Sequence, residues 1–154
     1  MEQRLREELA KLEVEVNREK SREVDLTQGG SFGFLGFEFR RILSRRGRWM
    51  PLQTPKGKKR TALLRKLKVV FRKHRSQPVR GLIEEINPII RGWVNYFAVG
   101  NSSRCFSYIR DWIEKKVRRH LARACQRKGF GWKRWNRNLI YGTLGLFNEY
   151  RVSW

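Results

Sequence analysis

After a helical stretch at its start, the apolar residues of this chain turn to strand-like spacing and then, from about a third of the way along, back to helix-like spacing. Leu5, Leu9, Leu12 and Val16 recur at helical spacing among mixed charges, which predicts an amphipathic helix over residues 1–16. That helix starts almost at Met1 without a good cap, as expected of a chain that opens in the middle of a larger fold. Residues 24–26 and 32–39 read as two short strands around a turn at 27–31. Gly33 and Gly36 interrupt the second and mark a bend or a close approach to the backbone. Residues 42–52 read as a hairpin turning at Arg45-Arg46-Gly47.

Helical periodicity then takes over. Leu63, Leu64, Leu67, Val70 and Phe71 share one arc, while Arg65, Lys66, Lys68, Arg72 and Lys73 point elsewhere. Leu82, Ile83 and Ile86 predict a short helix that stops at Asn87-Pro88. A new helix is expected from that junction, with Asn87 as cap and Pro88 at the first helical position. Ile89, Ile90, Trp93 and Phe97 form its apolar arc, and Arg91 and Asn95 stand one turn apart on the other side, beside Gly92. A mid-helix glycine costs about 1 kcal/mol relative to alanine, which suggests a neighbouring backbone or a ligand at Gly92. Gly100-Asn101-Ser102-Ser103 reads as a C-cap followed by an N-cap, and a long helix is expected over 104–128. Its core arc is Phe106, Ile109, Ile113, Val117, Leu121 and Ala124, and His120 near that arc reads as a packed or hydrogen-bonded histidine. The tail from residue 129 is rich in Gly and Trp and has no period that assigns an element. Strands first and helices after make the fold class α+β, with a short N-terminal helix and β-hairpins leading into a mainly helical bundle.

Charge changes this picture from fold to partner. Thirty-six Lys and Arg against 14 Asp and Glu give a formal charge of +22, so the compact state repels itself unless a polyanion neutralises it. Residues 40–80 hold 16 Lys or Arg and no acid. That asymmetry points to nucleic acid, and the candidate phosphate contacts there are Lys56, Lys58, Lys59, Arg60, Arg65, Lys68 and Arg72. On the 104–128 helix, Arg104, Tyr108, Trp112, Lys115, Lys116, Arg119 and Arg123 mix aromatic and basic groups that can stack bases and hold phosphates. Asp111 and Glu114 lie one turn away and can pair with some of these cations. Arg91 and Asn95 read either as RNA contacts or as a buried hydrogen-bonded pair that fixes packing. Cys105 and Cys125 are 20 apart with no CxxC, which offers neither a metal framework nor a disulfide scaffold and fits a reducing, cytoplasmic setting. No apolar run approaches the roughly 18 residues of a membrane span.

Three stretches carry a family resemblance. Asn17-Arg18-Glu19-Lys20-Ser21 followed by Phe34-Leu35-Gly36-Phe37 resembles the end of a bacterial reverse transcriptase palm with its primer-grip hairpin. Arg91-Gly92-Trp93-Val94-Asn95-Tyr96-Phe97 and Gly100-Asn101-Ser102-Ser103-Arg104 resemble the thumb, or maturase-specific domain, of group II intron-encoded proteins. The resemblance implies a palm remnant over 1–55, with Phe34, Leu35, Gly36 and Phe37 as a primer-grip-like hairpin, and a thumb/maturase domain over 56–154. It also implies structured group II intron RNA as partner and assistance of splicing as function. Polymerases of this kind need a Tyr-x-Asp-Asp turn and a further acid to hold two metal ions. Here only Asp25 and Asp111 occur, far apart, and no His and Cys cluster suits a zinc nuclease. The expectation is therefore an RNA-binding module with no catalytic residue, metal or cofactor of its own. Two alternatives stand beside it: the C-terminal subunit of a split reverse transcriptase whose palm is encoded separately, and a decayed retroelement remnant.

Overall fold

The computed structural model describes residues 2–11, 24–129 and 131–153. Its elements run α1 (Glu2–Ala10), β1 (Ser31–Phe34), β2 (Phe37–Leu43), β3 (Trp49–Pro55), α2 (Gly57–Lys73), α3 (Val79–Tyr96), α4 (Ser103–Ala124) and a π-helical turn at Asn138–Thr143. The class is α+β, a three-stranded antiparallel sheet followed by a mainly helical region. Leu12, Val16 and the stretch Asn17 to Ser21 lie outside the described residues.

The sheet order is β1-β2-β3. Residues 24–26 are not a strand: they enter a turn in which Asp25 Oδ1 accepts from the Thr27 amide at 2.8 Å and from its hydroxyl at 2.5 Å. The single strand expected over 32–39 is itself a hairpin, because Leu35 (φ +46°) and Gly36 (φ +84°) form a two-residue turn that pairs Phe34 with Phe37. Two positive φ values in succession fit the right-handed twist of the flanking strands. The second hairpin turns at residues 44–48, as its Arg-Arg-Gly sequence predicts. The Lys56 side chain fills the space a Cβ on Gly33 would take, and Gly36 lies against Phe97 and Lys59, which accounts for both interrupting glycines.

Registration puts Phe32 opposite Phe39 and Phe34 opposite Phe37 on one face. Phe37 is buried and meets Phe97 edge-on, with ring centroids 5.0 Å apart. Three hydrogen bonds fasten the sheet to the α3–α4 junction: Tyr96 Oη donates to Leu35 O at 2.9 Å, the Asn101 amide donates to Gln53 O at 2.7 Å, and the Gln53 amide donates back to Asn101 Oδ1 at 3.2 Å. Asn101 therefore ties down a strand, and Ser102 Oγ donates back to Val99 O instead of capping α4.

Helix α3 corrects the expected break at Asn87-Pro88, since one helix runs through both. Leu82, Ile83, Ile86, Ile90 and Val94 make a continuous buried stripe on either side of the proline. That stripe outweighs the hydrogen bond that proline removes from a helix interior. Asn87 is not a cap; its Nδ2 donates to Gly145 O at 2.8 Å and its Oδ1 accepts from the Phe147 amide at 2.9 Å. The stripe joins Leu63, Leu67 and Val70 of α2, Phe106, Ile109, Ile113 and Val117 of α4, and Ile140, Leu146 and Phe147 of the C-terminal segment in one core. Helix α4 ends at Ala124, four residues short of expectation, with Ala124 exposed and Leu121 half-buried. Its buried arc turns instead through Glu114, Arg118 and Ala122.

Candidate nucleic-acid interface

Helices α2 and α4 lie side by side, and the contact brings the two basic stretches together. Arg60 sits over the Tyr108 ring at 4.6 Å and acts on the Cys105 thiol, which burial pushes up and Arg60 pulls down. Further along, Phe71 meets Trp112 edge-on at 6.2 Å, and Lys116 Nζ lies 5.2 Å over the same indole. Burial holds Lys116 below the ordinary lysine value, and the cations of Arg119, Lys68, Arg72 and Arg123 lower it further. Five cations from two helices thus share one ridge, with the aromatic rings of Tyr108 and Trp112 along it. Like charges so placed favour a bound polyanion, whose phosphates remove their mutual repulsion.

The other candidate residues distribute around this ridge. Lys58, Arg65, Arg104 and Lys115 are exposed on α2 and α4. Lys59 extends beside the Gly36 turn and Lys56 over Gly33, so both belong to the hairpin side of the molecule. Lys73 is taken up by Glu85, at 3.1 Å. Trp112 is half-buried against the core and Tyr108 is exposed, so of the two Tyr108 has the freer ring. The buried-pair reading of Arg91 and Asn95 does not hold, because both are exposed and Arg91 lies over the Phe147 ring at 5.9 Å. No atom comes within 4 Å of where a Gly92 Cβ would stand, so no backbone is packed there. In the primer-grip-like hairpin Phe34 and Leu35 are 60% and 65% exposed, while Phe37 is in the core.

A polar constellation that sequence reasoning missed lies on the far side of α4. Glu114, 1% exposed, accepts from Tyr141 Oη at 2.6 Å, Arg118 Nη1 at 3.0 Å and Arg137 Nε at 3.1 Å. Burial pushes its carboxyl up, but these donors outweigh burial and hold it below the usual range. Arg118, 2% exposed, also donates from Nε to Trp135 O at 2.9 Å and stacks 4.2 Å from the Trp132 ring. The four-residue spacing of Glu114 and Arg118 was the readable signal. Their partners come from the tail, which has no period to read. His120 is buried with Nε2 3.0 Å from Gln77 O, and burial lowers its pKa.

Among the described residues no helix is long and apolar enough to cross a membrane, and no three His, Cys, Asp or Glu side chains gather as a metal site would need. No match to the chain was found among curated proteins. Residues 60–140, which include the cationic ridge and most of the Glu114 constellation, match the family described as "Group II intron, maturase-specific domain". That match takes in more than half of the chain, so the protein belongs to the group II intron maturase family, whose setting is RNA splicing.

Proposed function

We propose that this chain binds structured group II intron RNA through the α2–α4 ridge and assists its folding to the splicing-competent state, without polymerase activity of its own. The observation that carries this reading is the cation cluster of Lys68, Arg72, Lys116, Arg119 and Arg123 inside the family-matched region. Lys58, Arg65, Arg104 and Lys115 extend the contact, and Tyr108 stacks an unpaired base. The chain's two aspartates do not form a metal pair: Asp25 is held by Thr27, and Asp111 faces Arg110 and Arg137. On this reading the chemistry of splicing belongs to the RNA.

The exposed apolar residues of the sheet, among them Phe34, Leu35, Leu43, Trp49 and Met50, favour a second reading. In it the hairpins dock on a separately encoded reverse transcriptase palm, and the chain serves as its C-terminal subunit.

One experiment addresses both. Intron splicing is measured at near-physiological magnesium with the wild-type chain and with the variant Lys68→Ala, Arg72→Ala, Arg119→Ala, Arg123→Ala, each with and without added palm. Wild type alone accelerates splicing. The variant lowers RNA affinity and flattens the log-affinity against log-salt slope by about 3 units, roughly 0.7–0.9 for each phosphate no longer neutralised. An unchanged slope removes the ridge from the interface, and acceleration only with added palm selects the second reading.

A further inference from the structure

We propose that the cleft between α4 and the C-terminal segment is a second binding site, which takes a single unpaired nucleotide of RNA. The proposal rests on the RNA-binding reading above and adds a ligand subsite on the opposite side of α4. At 3.6 residues per turn Arg110 stands roughly 140–180° around that helix from Trp112, Arg119 and Arg123.

The cleft encloses about 510 Å³ and is lined by Arg110, Arg137, Asn138, Tyr141, Gly142 and Asn148. Small-ligand sites occupy ~300–1,000 Å³, a range that includes one nucleotide. Arg110 Nε and Tyr150 Oη are both buried without a hydrogen-bond partner, and the two groups are close enough to interact electrostatically. Unpaired buried donors are rare in native folds, and the Arg110 side chain, 34% exposed, borders the cleft, so its guanidinium has only to turn to meet an acceptor bound there. Asp111 Oδ1 stands 4.0 Å from Arg110 Nε and 3.8 Å from Arg137 Nη2, too far to satisfy either.

The floor of this cleft is fixed before any ligand arrives. Glu114 holds Arg137 by Nε and Tyr141 by its hydroxyl, and it is itself locked by Arg118. Arg137 keeps 59% of its side chain exposed, so the rest of its planar fork is available for a phosphate. Asn138 and Asn148 bring carboxamides that both donate and accept, which is what the edge of a base requires. Gly142 has nothing within 4 Å of its missing Cβ and leaves one wall clear. Two guanidinium groups with two amides select a ligand that joins a phosphate to a heterocycle, in preference to a bare anion.

The test uses the full chain. Adenosine 5′-monophosphate, uridine 5′-monophosphate and inorganic phosphate are titrated while the side-chain amide resonances of Asn138 and Asn148 are followed by NMR. Both mononucleotides shift them, and inorganic phosphate does so at least about tenfold more weakly. No shift with millimolar nucleotide, or an equal response to phosphate, overturns the proposal. In a second arm, Arg110→Met and Asn138→Ala/Asn148→Ala are each assayed on an RNA duplex with and without a one-nucleotide bulge. Each variant lowers affinity for the bulged duplex by about tenfold and leaves the perfect duplex unchanged; equal loss on both overturns the site. The ridge variant keeps its nucleotide response, so a failure of the ridge to bind RNA is distinguishable from a failure of the cleft.

Discussion

Glu114 carries the largest electrostatic responsibility of any single residue described. A nearly inaccessible carboxylate in a chain of charge +22 is tolerated because Arg118, Arg137 and Tyr141 satisfy it. Removing one partner of such a group leaves a buried charge uncompensated, so Glu114→Gln is expected to lower stability by about 3–5 kcal/mol in urea denaturation at pH 7. The pH dependence has a definite sign. Its carboxyl is held below the ordinary glutamate value of 4.5, so the stabilisation is complete above about pH 4.5 and is lost as pH falls through the lower folded-state value. The Gln variant has a flatter acid limb than wild type. The sequence contains the Glu114–Arg118 spacing but not its burial, because a helix pattern says which residues share a face and not what later covers that face. The burial of His120 was legible because it falls near the apolar arc of α4, whereas its hydrogen-bond partner, Gln77 O, comes from the α2–α3 loop and was not.

At the scale of elements, α3 marks where two local rules compete. Asn followed by Pro is a strong helix-entry signal, yet the apolar stripe from Leu82 to Val94 continues through the junction and is buried throughout. Burial of five aliphatic side chains, at about 1.5–3 kcal/mol each, exceeds the ~3 kcal/mol of an interior proline. Pro88→Ala restores an amide for the Glu84 carbonyl and, because position 88 is exposed, disturbs no packing. It is expected to raise the thermal midpoint by several degrees, about 2–4 °C for each kcal/mol in a chain of this size; a lower midpoint would mean that the proline is matched to a bend in α3. The Phe34-Leu35-Gly36-Phe37 turn is a case where a motif outperforms periodicity. Alternation merged the two strands into one, while the glycine at φ +84° marked the reversal.

For the whole molecule, strand-then-helix order and the basic blocks were readable, and the way the blocks combine was not. Each cationic stretch lies on its own amphipathic helix, and only the packing of α2 on α4 merges them around Lys116. That concentration has a cost in the free protein. Raising sodium chloride from 50 to 500 mM is expected to raise the thermal midpoint, because screening relieves self-repulsion. Calorimetry with and without salt measures this, and a midpoint that falls with salt would mean that ion pairs such as Lys73–Glu85 outweigh the repulsion.

The two hydrogen bonds of the Asn87 carboxamide close a ring in the chain without a covalent link. Gly145, its acceptor, is 58 residues away, and closing a loop of that length costs about 3.6 kcal/mol of chain entropy. The two hydrogen bonds return about 1 kcal/mol each. Leu146 and Phe147, both buried, add about 1.5–3 kcal/mol each. Apolar burial therefore supplies the strength of this closure and Asn87 its address. Because an amide holds the ring and both cysteines are free, the closure is indifferent to thiol redox state.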